Sequence, residues 1–363
     1  MRPAASTAIL GLALTLTAAL FDAEPLYVPG VAFIVLAAGA ALWVAAGARG
    51  VHVRRTIAAR RTIEEQPVTI GVVVRNGRIP MPSGFIEDEL LSVAAPVAPG
   101  RRTTEVRINA RFARRGRKVL APPRVVVRDP FGLATRVVVA GEADELLVLP
   151  RLEPVVAEPG HGDGTGLAGR RGRPAVAAEI DLDGLRPYRE GAPASRIFWQ
   201  GLARGGDLME RRLRADGDTR PLIVLDPRAP ARREDLDAAV RAAASLCVYL
   251  AKAGGCALLL PGDRRPTALE PTLTGWPHLH VRLALVEDGA GPNVVGLASR
   301  RGPVLYVAAR VPARSPRALA HAPGGGRMLV VPGVIAGRRA LFTVAGCTGY
   351  ELSGARTPAA EVA

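Results

Sequence analysis

Two uncharged apolar runs open the chain, Ala4 to Phe21 and Val28 to Ala48, with the short acidic link Asp22-Ala23-Glu24-Pro25 between them. Each is close to the ~20 residues that a helix rising about 1.5 Å per residue needs to cross ~30 Å of hydrocarbon. A link this short forces antiparallel spans, so residues 1–50 predict a membrane hairpin. A cleaved signal peptide starting at Arg2 is the rival reading of the first run, and the full-length run directly behind it argues against that rival. Arg49, Arg54, Arg55, Arg60 and Arg61 follow the second run, whereas the link has no basic residue. The positive-inside rule then places the arginines and everything after them in the cytoplasm, as part of a two-pass cell-membrane protein.

From Thr62 the pattern changes to period two. Val68 to Val74 ends at the turn signal Asn76-Gly77, and further runs follow at Gly84 to Leu91, Thr104 to Phe112, Arg124 to Arg128, Thr135 to Val139 and Glu145 to Leu149. Short alternating strands broken by Gly and Pro predict a small antiparallel β-sandwich over residues 51–158. Residues 159–178 read as a Gly-rich linker. Six glycines between Pro159 and Ala175 cannot bury a core, and the Gly-Lys-Ser/Thr of a phosphate-binding loop is missing. Residues 179–363 turn to alternating strand and helix. Leu222 to Asp226 is a continuous apolar strand, Glu234 to Ala253 is an amphipathic helix, and Cys256 to Leu260 is the next strand. A helix over Leu279 to Val286 and strands at Val304 to Ala309, Met328 to Val331 and Leu341 to Val344 complete a doubly wound α/β domain. In such sheets ligands bind beyond the carboxyl ends of strands, where Asp226 sits.

Composition narrows the possible functions. The 363 residues carry 48 Lys+Arg against 33 Asp+Glu, a formal charge of +15, with Lys118 and Lys252 the only lysines. That balance invites a nucleic-acid reading, but aromatics make up only 4% of the chain and leave little for bases to stack on. Membrane flanks and solvated strand faces such as Val106 to Phe112 account for much of the excess, so no nucleic-acid partner is expected. Cys247, Cys256 and Cys347 are too few and too dispersed for a disulfide framework. His278-Leu279-His280 alternates like paired ligands on a strand, yet lacks a neighbouring carboxylate, and reads as a surface or helix-start pair. Ser195 and Ser245 stand in no nucleophile elbow. No cofactor and no enzymatic activity are expected.

Two stretches carry a family resemblance. Arg128-Asp129-Pro130-Phe131-Gly132-Leu133 lies among the strands. Gly184-Leu185-Arg186-Pro187-Tyr188-Arg189-Glu190-Gly191 and Ser195-Arg196-Ile197-Phe198-Trp199-Gln200-Gly201-Leu202-Ala203-Arg204 follow some sixty residues later. With the hairpin in front and the α/β domain behind, the chain resembles the bacterial domain of unknown function 58 family along essentially its whole length. The resemblance implies a C-terminal von Willebrand factor A-like fold, no established enzymatic activity, and an assembly role. It also implies MoxR-type AAA+ ATPases and transglutaminase-like membrane proteins as neighbours. Its motif residues here are Asp129, Pro130, Phe131, Gly132, Leu133, Arg186, Tyr188, Gly191, Arg196, Trp199 and Arg204. The sequence departs from the family after Gly191, where Ala192-Pro193-Ala194 replace acidic residues. It departs again at the metal motif Asp-x-Ser-x-Ser of the von Willebrand A fold, represented by Asp226-Pro227-Arg228-Ala229-Pro230. With both hydroxyls gone, Asp226 is a degenerate first metal position and no metal is expected. It reads instead as a turn or helix N-terminal acceptor, or as the partner of Arg228. The Tyr188–Trp199 region, rich in arginine, reads either as a docking surface or as a buried bridge between domains. A metal-dependent adhesion-type module and an unrecognised hydrolase are the alternative functions.

Overall fold

Helix α1 (Arg2–Phe21) and helix α2 (Tyr27–Gly47) are joined by a single 3-10 turn at Glu24–Leu26. They pack tightly at Gly11 and Gly30: a Cβ on Gly11 would lie 2.7 Å from the carbonyl oxygen of Gly30. Small residues allow this backbone contact, which larger side chains would prevent. The hydroxyls of Thr15 and Thr17 donate back to the carbonyls of Gly11 and Ala13, at 2.7 and 2.8 Å. Leu12, Leu16, Val28 and Leu42 point outward, and both helices are long and apolar enough to cross a membrane. The computed structural model describes residues 2–97, 100–139, 141–158, 182–188, 199, 203, 205, 207–213, 220–295, 302–312 and 326–352. The chain divides into two units, Met1–Leu149 and Pro150–Ala363, in a mixed α/β fold with several sheets.

In the first unit, β1 (His52–Ile57), β3 (Pro67–Arg75) and β6 (Thr103–Arg111) form one antiparallel sheet. Strands β4 (Ser83–Glu87), β5 (Ala95–Val97), β8 (Arg124–Arg128) and β9 (Thr135–Val139) form a second, in the order β5-β4-β8-β9. A third holds β2 (Arg61–Ile63), β7 (Gly116–Leu120) and β10 (Asp144–Leu149). The first two sheets share one core, with Val72, Val74 and Ile108 against Ile86, Val125 and Val127. Ala40, Val44 and Ala48, from the end of α2 and just after it, belong to that same core. The hairpin is therefore continuous with the sheet core, not the separate 1–50 segment expected from hydropathy. The strand predicted over Gly84 to Leu91 stops at Glu87. There Asp88 turns the chain, accepting the Leu90 N–H on Oδ1 at 2.9 Å and the Leu91 N–H on its carbonyl at 3.0 Å.

The second unit is built on one sheet. Its strands are β11 (Val156–Ala157), β14 (Leu222–Asp226), β15 (Cys256–Leu259), β16 (Thr267–Leu269), β17 (Val304–Ala308), β18 (Arg327–Pro332), β19 (Ala340–Val344) and β20 (Cys347–Glu351). They lie in the order β11-β19-β20-β18-β17-β14-β15-β16, parallel from β15 to β18 and antiparallel at both edges. A separate antiparallel ribbon joins β12 (Leu182–Pro187) to β13 (Met209–Leu213). Helix α3 (Arg233–Gly254) starts at a box in which Asp235 accepts the Arg232 N–H, and it packs with α4 (Trp276–Ala284) over Ile223, Leu225, Leu305 and Val307. Leu222, Val224, Tyr306, Leu329 and Tyr350 form a second buried layer on the opposite face. Among the described residues both helices cover the same face, whereas a doubly wound sheet carries helices on both.

The boundary between units also moves. Val156–Ala157 pairs with β19, and the Glu153 N–H donates to Ser245 Oγ of α3 at 2.9 Å, so residues 150–158 belong with the second unit instead of ending a 51–158 sandwich. The expected linker at 159–178 falls wholly outside the described residues.

Candidate functional site

The order of strands places β14 between β15 and β17, which follow it on opposite sides. The chain thus reverses direction across the sheet at the carboxyl end of β14, the position where open α/β sheets present ligand crevices. Asp226 closes that strand and is buried. Its Oδ1 accepts from Arg228 Nε at 2.8 Å and from the Arg228 backbone N–H at 3.2 Å. Its Oδ2 accepts from Arg228 Nη2 at 2.8 Å and from the Tyr306 hydroxyl at 2.5 Å. Asp226 is thus both a turn acceptor and the partner of Arg228; it is not the N-terminal acceptor of α3, which begins seven residues later with its own cap. Tyr306 is the member that sequence reading missed. Its register opposite Val224 lets the long side chain reach two residues onward. A tyrosine inside the otherwise apolar run Val304-Leu305-Tyr306-Val307-Ala308 was the available signal, since a buried phenol needs a partner.

The electrostatics of the cluster are self-contained. Burial pushes the Asp226 carboxyl up, but the hydrogen bonds from Arg228 and Tyr306 outweigh it and hold the group below the ordinary carboxylate range. The Tyr306 hydroxyl is pushed up, by burial first and then by the bond to Asp226. Arg228 is braced from behind: a Cβ on Gly291 would stand 2.8 Å from its Nε, and Asp288 accepts the Ala229 N–H at 2.8 Å. Ala229 itself has φ +46°, a left-handed conformation that this carboxylate contact helps to hold. A guanidinium thus lies against both carboxylate oxygens of Asp226. Among the described residues no group of three or more His, Cys, Asp or Glu is arranged to hold a metal ion.

The Asp129 motif is a turn joining β8 to β9. Asp129 is buried, and its two oxygens accept the N–H groups of Phe131 at 2.9 Å and Ala134 at 2.6 Å. Gly132 has φ +71°, and a Cβ there would collide with the guanidinium of Arg128. Gly132→Ala is therefore expected to destabilise the first unit by about 1–3 kcal/mol, read as a lowered urea midpoint in detergent. Leu133 turns inward beside the α2 core, whereas Pro130 and Phe131 are exposed.

Of the second motif, Arg186 stands opposite Glu210 in the β12–β13 ribbon. Tyr188 is half-buried, with its N–H donating to Leu208 O at 3.0 Å. Trp199 is 55% exposed, which departs from the buried-bridge reading. Gly191, Arg196 and Arg204 lie outside the described residues. The basic flank also changes: Arg55 is buried in the first unit, where Asp88 at 2.7 Å and Asp144 at 3.2 Å pair with it, so it does not face lipid headgroups. Beside it an open polar cleft of about 590 Å³ is lined by Arg54, Arg60, Glu142 and Glu145. A smaller cleft of about 280 Å³ lies beyond β15, between Leu260 and Val286.

The remaining reactive residue types have structural duties. Ser245 Oγ donates to the Arg241 carbonyl at 2.8 Å while holding the Glu153 N–H. The three cysteines are free and buried, and burial pushes Cys247 up and Cys347 up to about 12, so the thiols of Cys247 and Cys347 stay protonated. His278 and His280 stand in the first turns of α4, the helix-start alternative, with His278 exposed and His280 buried and stacked on Trp276 with ring centres 4.7 Å apart. The His280 Nε2 donates to the Pro150 carbonyl at 2.7 Å. Burial, only partly offset by that bond, holds the imidazole below its ordinary value. The unfolded chain therefore takes up this proton first. The stabilising contribution is complete above about pH 6.5 and is lost as pH falls through the lower folded value. Urea midpoints of the second unit, followed by circular dichroism, should fall as pH drops below about 6.5, and His280→Gln should flatten that slope.

In comparisons with known proteins, no protein-family model and no curated protein matches the chain.

Proposed function

We propose that this chain is a membrane-anchored, non-enzymatic interaction or assembly protein. In this reading α1 and α2 hold a cytoplasmic body whose second unit is a metal-free von Willebrand A-like domain. It works with a MoxR-type AAA+ ATPase, beside a transglutaminase-like membrane protein, in a process of the cell envelope. The observation that carries the reading is the Asp226–Arg228–Tyr306 cluster. A Mg²⁺ site needs several oxygen ligands in near-octahedral geometry. Here Asp226 is committed to an arginine and a phenol, and the neighbouring Asp288 accepts the Ala229 N–H. The family resemblance in the Asp129–Leu133 and Arg186–Arg204 stretches supplies the partner class.

The test is affinity isolation of the full chain from its own membranes in mild detergent. Recovery of a MoxR-type ATPase in stoichiometric amount is expected, and repeated absence of one would overturn the partner. Calorimetry with Mg²⁺ or Mn²⁺ should give no saturable heat. Tight binding that vanishes in Asp226→Ala would instead establish the metal-dependent adhesion-type module.

A further inference from the structure

Two turns of the first unit lie against the ends of the helical hairpin. Residues 76–82 pack on the end of α2, where a Cβ on Gly47 would meet Pro82 Cδ at 3.0 Å and the Met81 Cα at 3.2 Å. The Asp129 turn meets the start of α1, where the Ala4 N–H donates to the Leu133 carbonyl at 2.9 Å. Both turns therefore stand level with the helix ends. The shared core reaches further: Ala40, buried among the sheets, is seven residues before Gly47, which is about 10 Å along the helix axis. If α1 and α2 cross a bilayer, this end of the body is drawn into the interface with the lipid.

The chemistry of the two turns fits that depth. Phe131 is 69% exposed at the tip of one turn, and Ile79 is 46% exposed in the other. Both are large apolar side chains on an edge where Arg78, Arg128 and Arg136 are also exposed. Arg128 is held beside Phe131, because its guanidinium fills the space over Gly132. An apolar tip with cations directly behind it matches an acyl–headgroup boundary, where the ring enters the acyl region and guanidinium groups meet phosphates. Asp129 is the only carboxylate in the turn itself, and both its oxygens are already occupied by backbone N–H groups.

We propose that the Asp129–Leu133 turn is a membrane-insertion element: Phe131, backed by Arg128 and aided by Ile79, penetrates the lipid headgroup layer and sets the orientation of the first unit against the bilayer. This rests on the reading of α1 and α2 as spans, and the test separates the two. Single-cysteine replacements of the full chain, Phe131→Cys, Ile79→Cys, Leu12→Cys and Gln66→Cys, are labelled with an environment-sensitive fluorophore. They are then reconstituted into vesicles of equal phosphatidylcholine and phosphatidylglycerol containing a shallow spin-labelled lipid. Gln66 is exposed just before β3, nine residues and about 30 Å from the Arg75 end of that strand, and Leu12 lies mid-way along α1. Labels at 131 and 79 are expected to emit at shorter wavelength than the label at 66 and to be quenched roughly twofold more. A label at 131 that matches position 66, while Leu12 is strongly shielded from water, overturns the insertion and leaves the spans standing. A water-exposed label at Leu12 in the vesicles overturns the spans and the insertion with them.

Discussion

Replacing Arg55 with alanine is expected to cost the first unit about 3–5 kcal/mol, the largest effect of any single substitution described here. Arg55 and Asp88 have no exposed side-chain surface, and the guanidinium bridges Asp88, Asp144 and the carbonyls of Leu120 and Ala121. These groups come from three segments of the unit besides the strand of Arg55. Taking away the cation strands a buried carboxylate and two carbonyls at once, which costs far more than the intact pair contributes. Arg55→Lys keeps the charge but cannot form the two-pronged bond to Asp88 through Nε and Nη2, so an intermediate loss is expected. Urea unfolding in detergent micelles measures the series. A loss under ~1 kcal/mol for the alanine variant would show that Asp88 finds water or another donor.

Asp226→Ala is the second large effect, expected at about 2–4 kcal/mol in the second unit. The substitution leaves the Tyr306 hydroxyl buried without its acceptor and the Arg228 side chain without its anchor. Tyr306→Phe removes one hydrogen bond and should cost only about 1–2 kcal/mol. The pH response separates the two members. The Asp226 carboxyl lies below its unfolded value, so its contribution is present above about pH 4 and lost as pH falls further. The Tyr306 hydroxyl lies above its unfolded value, so its contribution is present below about pH 10 and lost as pH rises through the folded value. Tyr306→Phe should therefore flatten the alkaline limb and leave part of the acid limb in place.

Legibility in the sequence followed the range of the interactions. Strands β8 and β9 were predicted with the bounds they have, because Val125 to Val127 and Val137 to Val139 are β-branched runs closed by turn residues. Strand β7 was not predicted, since Gly116-Arg117-Lys118 reads as a polar loop until Glu145 and Leu146 pair with it. Strand β1 was hidden because Arg54 and Arg55 read as a membrane flank. Strand β20 was hidden by Gly349, which leaves room for the Phe342 ring from β19. At the candidate site the Asp226–Arg228 bond is local, two residues apart, and was read as one of the alternatives. Tyr306 comes from eighty residues beyond Asp226 and Asp288 from fifty-nine beyond Ala229, so only the tertiary fold brings them together. The Arg55 triad spans thirty-three and eighty-nine residues and was invisible for the same reason.

Membrane anchoring underlies the proposed partner, the cytoplasmic assignment and the inserted turn alike. A green fluorescent reporter fused after Ala363, which folds only in the cytoplasm, tests it in intact cells. Fluorescence confined to the cell membrane and resistant to alkaline extraction is the expected result. A dark reporter would contradict the cytoplasmic orientation, and fluorescence released into the soluble fraction would contradict the hairpin and everything built on it.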